Sequence, residues 1–437
     1  MNDLPISAEL RDLVKGALDG LHQFIEAEVI PLEREHKELL QDERRLFQPD
    51  GRLAREVLEA RNRIRLQSAA AGFYTMLAPE SVGGGGLGAT AAVLAWESLG
   101  RKYGPGRLFV TWGKGFLTTP VLASFVDGPS NTLLDMSDAV RRDYLPGMLR
   151  GEKTMCFALT EADAGSDVWM LRTKARRVGG EWVISGGKQW ITNAPYADYA
   201  VLFAITDEEA FARREGGITA FFVETRDPGF NVDAVLRIMG HMGSDCGTIS
   251  LQEVRVKDGY TLGEVDRGFQ VGMLGISEGR LGVAGVGLGT SEWALDRCLE
   301  YSQQRETFGV PLAEHQAIQF MLADSAIDIF TCKYMALQTA RLVDAYAQGM
   351  ASPSDPTRPG PRPFPVKEIS IAKVYGAEMA GRVLDRAIQI HGALGLSGDL
   401  ALEEGYRLAR VLRIPDGTSE IQRRTVAREL LKGDTVF

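Results

Sequence analysis

The chain has 437 residues, 45% of them hydrophobic and 24% charged, which is enough for two or three packed units with ordinary cores and surfaces. Its formal charge of −9 counts against wrapping nucleic acid, and no apolar run is long enough to span a bilayer. The first residues carry no basic segment ahead of an apolar run. Cys156, Cys246, Cys298 and Cys332 form no CxxC pair. A secretory signal, a disulfide framework and a structural zinc site are therefore not expected, and a cytoplasmic location fits best.

Residues 7–36 carry an apolar stripe at helical spacing (Leu10, Leu13, Val14, Ala17, Leu18, Leu21, Phe24, Ile25), with Ser7 placed to cap it. A second helix is expected over roughly 53–71. Gly83 to Gly86 invite a phosphate-loop reading, but no Gly-Lys-Ser/Thr follows and no clear strand precedes. A flexible turn before a helix from Ala89 is the better reading. Helices broken by short loops should continue over 91–150. Near Met155 the pattern changes. Residues 173–178, 182–185 and 189–192 read as short strands joined by glycine turns, and 201–205, 218–224 and 248–256 add β-rich segments. This spacing suggests a small antiparallel barrel or sandwich. Helix returns at Gly268. Gly285, Gly287 and Gly289 sit inside a helical pattern rather than after a strand, so they predict close helix packing and not a dinucleotide fingerprint. Ile318, Met321, Leu322, Ala326, Ile329, Cys332 and Ala336 mark a long core-facing helix. Residues 351–365 are a proline-rich surface loop, and 366–390 and 420–431 complete a bundle. The expected class is α+β, with an all-α domain over 1–152, a β-barrel or sandwich domain over 153–265 and a four-helix-bundle domain over 266–437.

Four stretches carry the chemistry. Cys156 to Asp167 joins the first two domains with small residues that let backbone approach a flat ligand, and with hydroxyls at Thr160 and Ser166. A simple interdomain loop would explain the small residues equally well. Lys188 to Asn193 places Trp190 and Thr192 on one face of a strand, where an aromatic plane and a hydroxyl could hold a heteroaromatic ring; ordinary barrel core is the plainer alternative. In the third stretch Gly309 and Pro311 end a helix, with Arg305 placed to meet a phosphate and His315 and Gln316 following. The fourth pairs Gln389 to Gly395 with Arg413 to Gln422. Pro415 pre-sets φ, Asp416-Gly417 makes a bend, and Ser419 with Gln422 has capping-box spacing. A helix begun this way aims free N–H groups at a ligand, with Asp416 at the mouth; alone, Asp416 could be a mere turn former.

Taken together and in this order, CFALTEADAGSD, KQWITNA, RETFGVPLAEHQAIQFMLAD and QIHGALGLSG with PDGTSEIQRR resemble the acyl-CoA dehydrogenase family over essentially the whole chain. The resemblance implies a flavoenzyme that holds FAD and oxidises an acyl-CoA thioester between its α and β carbons. It implies that Phe157, Ala158, Leu159, Thr160, Gly165 and Ser166 lie along the flavin, with Ser166 also facing the thioester arm. Trp190 and Ile191 would pack at the isoalloxazine ring, and Thr192 would hydrogen-bond near its reactive nitrogen. Arg305, Thr307, Phe308, His315, Gln316, Gln389, Ile390, Gly392 and Ala393 would complete the FAD site of a neighbouring subunit. Thr418 and Glu420 would touch the cofactor, and Arg280 and Gly417 would bind substrate. The implied assembly is a homotetramer or dimer that passes electrons to a separate acceptor, an electron-transfer flavoprotein or its equivalent.

Asp416 stands where the family usually has its catalytic glutamate. An α-proton beside a thioester is weakly acidic, so a carbonyl-polarising donor and a base must act together. The resemblance implies that the Asp416 N–H polarises and the Asp416 carboxylate abstracts. A branch of longer relatives resembles this C-terminus and accepts aspartate there. Nitroalkane oxidases share the fold and also use an aspartate, so an oxidase of that type, or a dehydrogenase of carrier-protein-bound acyl groups, is the alternative. Some relatives place the base at the position of Gly279, which cannot serve; neighbouring Glu278 is expected to face the wrong way. The first stretch has Glu161-Ala162-Asp163 where Pro-Gly is common. The floor of the acyl pocket is expected from a helix around residues 108–125, and His241 receives no role.

Overall fold

The computed structural model describes residues 6–113, 117–239, 245–349 and 364–436. His241 and most of the proline-rich stretch lie outside them. Ser7 Oγ accepts from Leu10 N–H at 3.2 Å and starts the Ala8–Phe24 helix, which passes through a π-helical turn, Ile25–Val29, into Ile30–Glu35. Helices Arg55–Ala70 and Gly88–Tyr103 follow. The glycine run between them is a tight turn, with φ of +80° at Gly83 and +64° at Gly86. At the start of the helix after it, Ala89 N–H and Thr90 N–H donate to the Asp344 carboxylate at 2.6 and 3.0 Å. A side chain of the protein itself therefore fills the place an external anion would take. Among the described residues between Tyr103 and Asp138 the expected α-helices do not form. Gly104-Pro105-Gly106, Pro120 and Gly128-Pro129 break the chain into turns and one short 3-10 segment, Asn131–Leu133.

The middle of the chain forms one eight-stranded sheet from β1 Met155–Ala158, β2 Lys174–Val178, β3 Glu181–Thr192, β4 Tyr199–Ile205, β5 Ile218–Glu224, β6 Phe230–Val235, β7 Cys246–Lys257 and β8 Thr261–Leu262. The order is β6-β7-β3-β2-β4-β5-β8, and β1 pairs with β4. Most ladders are antiparallel. β1 runs parallel to β4, however, as does β2 at Lys174 opposite Ile205, so the sheet is mixed rather than wholly antiparallel. β3 also runs straight through Gly186-Gly187, where a turn was expected. Gly186 has φ +152° beside a register shift, and a Cβ there would strike Thr173, so the glycines make a bulge instead of a turn. β4 is apolar from Ala200 to Ile205 because both faces are covered. Val201, Phe203 and Ile205 pack with Met136, Leu145 and Val271, while Ala200, Leu202 and Ala204 pack with Ile184, Phe221 and Val254.

The Gly268–Gln304 helix spans 37 residues, about 55 Å, and is buried continuously from Gly279 to Ala294. Its glycines work as packing sites: a Cβ on Gly285 would sit 2.9 Å from Val93 O, and one on Gly287 2.8 Å from Gly376 O. Helices Gln316–Ala347, Val366–His391, Leu402–Leu412 and Ser419–Leu431 complete the bundle. The Leu402–Leu412 helix was not among the expected elements. The α+β class with helical, sheet and helical thirds is as expected. All four cysteines are buried and unpaired. No helix among the described residues is long and apolar enough to cross a membrane.

Candidate active site

Asp416 sits in a turn with φ +58°, a left-handed conformation that a side chain rarely adopts unless its surroundings enforce it. Three side chains do so. Arg280 Nε donates to Asp416 O at 2.9 Å, Gln422 Nε2 donates to the same oxygen at 2.9 Å and to Gly417 O at 3.2 Å, and Lys373 Nζ donates to Gly417 O at 2.9 Å. Arg280 therefore braces the turn, and Gly417 presents its carbonyl to Lys373. The helix after the turn is capped one residue earlier than expected. Thr418 Oγ1 accepts from Ile421 N–H at 3.3 Å, Ser419 is buried, and Gln422 reaches back to the carbonyls rather than to a cap N–H. Glu420 is exposed in the first turn, its carboxyl held below the ordinary range by its own backbone N–H and by Thr418.

Asp416 forms part of the wall of a narrow cavity with Leu77, Trp96, Trp112, Phe125, Glu278 and Gly279. Asp416 keeps partial accessibility there, yet it is surrounded densely enough that burial pushes its carboxyl up to about 6 against the pull of Lys373 and Arg280. The ammonium of Lys373, fully buried, is pushed down to about 8. A Cβ on Gly279 would strike Phe125 Cε1 and lie 2.5 Å from Asp416 Oδ2, so the ring and the aspartate together occupy the space a side chain would need. Glu278 lines the same cavity instead of facing away. The cavity is floored by turns carrying Trp112 and Phe125, not by the helix expected over 108–125. Lys373 lies in none of the four stretches, and Gln422, expected only as a capping-box partner, instead braces the turn. Lys373 could have been found as a lone cation on the buried stripe Ile369, Ala372, Gly376, Ala377 and Ala380.

The first two stretches form a ledge. Gln189 N–H donates to Thr160 O at 2.9 Å, tying β3 to the loop after β1. Lys188 Nζ, fully buried, reaches Glu161 Oε1 at 2.7 Å and Leu159 O at 3.1 Å, while Glu161 accepts from the N–H groups of Arg172 and Thr173. The divergent Glu161 is thus the anchor of the loop. Phe157 packs on Phe125, ring centroids 5.3 Å apart, linking this ledge to the cavity. Ala158 and Leu159 are buried, whereas Gly165 and Ser166 are exposed with nothing near the glycine's missing Cβ. A bulge between Lys188 and Ile191 and a left-handed Trp190 (φ +63°) interrupt the simple alternation expected of β3. Trp190 ends 51% exposed, while Ile191 and Thr192 are buried, so Trp190 is not core. An exposed indole on a strand tied to the Thr160 loop, which also carries the open Gly165-Ser166 stretch, fits a broad flat cofactor such as a flavin.

The third and fourth stretches meet at the far end of the bundle. The helix ends at Gln304, earlier than expected, and Arg305 leads into a hairpin, Glu306–Thr307 with Val310–Pro311, turned by Phe308 (φ +53°) and Gly309 (φ +83°). Thr307 Oγ1 lies 3.1 Å from His315 Nε2, and Gln316 opens the next helix. His391 stacks on Tyr301 with centroids 4.4 Å apart, which brings Gln389, Ile390, Gly392 and Ala393 to the same end. Ile390 is buried; Gln389, Gly392 and Ala393 are exposed, and Phe308 is 97% exposed. Arg280 and Tyr301 are 21 residues apart on one helix, about 30 Å. One chain therefore does not bring this cluster to Asp416. Along the Gln316–Ala347 helix, Phe320, Ile327 and Phe330 form an exposed apolar face at helical spacing.

Family models match nearly end to end: the N-terminal domain of acyl-CoA dehydrogenase over 17–152, its middle domain over 156–254 and its C-terminal domain over 266–431. The chain is 35% identical to the 3-(aryl)acrylate reductase of Clostridium sporogenes over 83% of this chain and 88% of that protein. It is 31% identical to the human mitochondrial short-chain specific acyl-CoA dehydrogenase over 97% and 96%. Among solved structures, butyryl-CoA dehydrogenase from Megasphaera elsdenii superposes with a TM-score of 0.77 at 27% identity, covering 98% of this chain and 100% of that one.

Proposed function

The chain belongs to the acyl-CoA dehydrogenase family of FAD-dependent oxidoreductases, and from that premise we propose that it oxidises an acyl-CoA thioester to the α,β-unsaturated thioester with Asp416 as the base. The observation that carries this reading is the braced Asp416 turn at an otherwise largely apolar cavity, with a carboxyl tuned to about 6. A base so tuned is ionised at neutral pH and still basic enough to take a proton in a concerted step. Arg280, Lys373 and Gln422 hold the turn so that the Asp416 N–H and carboxylate keep a fixed relation, which suits a thioester whose carbonyl is polarised while its α-carbon loses a proton. FAD, when bound, supplies the acceptor for the hydride leaving the β-carbon. Trp190, Thr192 and the Phe157 to Ser166 stretch would hold the ring end. Arg305, Thr307, Phe308, His315, Gln316 and the Gln389 to Ala393 run would hold the far end from a second copy of the chain. The separation of that cluster from Asp416 and the exposed Phe320, Ile327 and Phe330 face support this reading, and with it a homodimer or homotetramer. Electrons would pass to a separate acceptor, an electron-transfer flavoprotein or its equivalent.

The cavity walls Trp96, Trp112 and Phe125 favour short or planar acyl groups over long flexible ones, in keeping with the aryl and short-chain substrates in the names of the relatives. The test is anaerobic bleaching of the flavin by a panel of acyl-CoAs of graded length together with arylpropanoyl-CoAs. Short and aryl members should bleach fastest. Bleaching by nitroalkanes but by no acyl-CoA would overturn the reading.

A further inference from the structure

The cavity beside Asp416 contains two polar groups that the proposed chemistry does not use. Glu278 presents a carboxyl to it whose one hydrogen bond among the described residues is long, from Asn131 N–H at 3.4 Å. No cation among the described residues stands among the groups that set its charge. Burial and the neighbouring Asp127 carboxylate push it up to about 7. On the same cavity Trp112, 4% exposed and packed on Trp96 at 4.9 Å, has an indole Nε1–H with no hydrogen-bond partner among the described residues. An alkyl chain filling this space would strip water from the carboxyl and offer nothing to either group. Such sites discriminate strongly, because leaving buried polar groups unpaired is costly whereas pairing them is not.

We propose that the cavity selects acyl groups carrying a hydroxyl beyond the reacting carbons, with Glu278 and Trp112 as the residues that read it. This rests on the dehydrogenase reading above. A hydroxyl can accept from the indole N–H while donating to the Glu278 carboxylate, or accept from the protonated carboxyl, so it satisfies the pair in either protonation state. The aromatic walls Trp96 and Phe125 make a hydroxyaryl group the best match, being flat along its length and polar at its tip.

The test compares matched acyl-CoAs by anaerobic flavin reduction with the holoenzyme: phenylpropanoyl-CoA against para-hydroxyphenylpropanoyl-CoA, and hexanoyl-CoA against omega-hydroxyhexanoyl-CoA. The native chain should favour the hydroxylated member of at least one pair by about tenfold or more in kcat/KM. Glu278→Leu should bring that ratio close to one, and Trp112→Phe, which keeps a ring and removes the N–H, should lower it several-fold. If Glu278→Leu fails to hold flavin, Trp112→Phe carries the test alone. Equal rates within both pairs, or a preference that survives in a flavin-loaded variant, would overturn the proposal and leave the dehydrogenase reading standing. Failure of all four compounds to bleach the flavin would overturn both.

Discussion

The two ends of the long Gly268–Gln304 helix are finished differently. Near Arg280 the supports are enclosed: the Asp416 turn is braced by three side chains, and Lys373 is wholly buried. Near Tyr301 the chain presents Phe308 at 97% exposure, Leu396 at 70% and a row of exposed apolar side chains on the neighbouring helix. A catalytic turn must be held within a fraction of an ångström, and one chain does that by burying its supports. A surface left apolar and open is instead a surface awaiting cover. On the reading proposed above, the first end would be a complete half-site and the second the complement of a half-site in another copy.

The comparison can be broken at either end. The largest effect is expected from Asp416→Asn, which should slow flavin reduction by about a thousandfold or more while FAD stays bound. Next, Ile327→Asp with Phe330→Asp should do the reverse, lowering both the assembly size by light scattering and the flavin content per chain; full flavin on a monomer would show that one chain completes the site. The division can be sharpened by mixing. Chains carrying Asp416→Asn and chains carrying Arg305→Ala, unfolded and refolded together, should recover activity that neither has alone, because some mixed sites receive both native halves. Lys373→Met should have a smaller effect with a distinct pH signature. The active form is the ionised aspartate, so the rate rises with pH through about 6. Removing the cation disfavours that charge and moves the rise to higher pH, giving a loss on the order of tenfold near pH 6 that shrinks as pH increases. The smallest effect is expected from Gln422→Ala, which removes hydrogen bonds to two carbonyls and should cost about 1–2 kcal/mol in urea unfolding.

The sequence made the order of helical and sheet thirds legible because periodicity changes sharply near Met155 and again near Gly268, and Asp416 was legible because turn chemistry and motif coincide there. The rest depended on contacts that no local pattern records. Gly186-Gly187 has the composition of a turn, and only its neighbour Thr173 makes it a bulge. Ser419 and Thr418 are equally good caps by type, and burial of Ser419 decides between them. Glu278 was expected to face away, yet it lines the cavity, with Asn131 N–H as its hydrogen-bond donor. The Glu161–Lys188 pair joins residues 27 apart in the chain, and its purpose shows only when the loop and β3 lie side by side.

The central claim is that a single aspartate in the cavity wall starts the reaction. It is tested by mixing the native protein and its Asp416→Asn variant, both flavin-loaded and anaerobic, with an acyl-CoA that bleaches the native flavin, and following absorbance in a stopped-flow cell. The account predicts rapid bleaching of the native protein and loss of about three orders of magnitude in the variant at unchanged flavin content. Comparable bleaching rates in the two would contradict it and move the base elsewhere in the cavity, with Glu278 the first residue to replace.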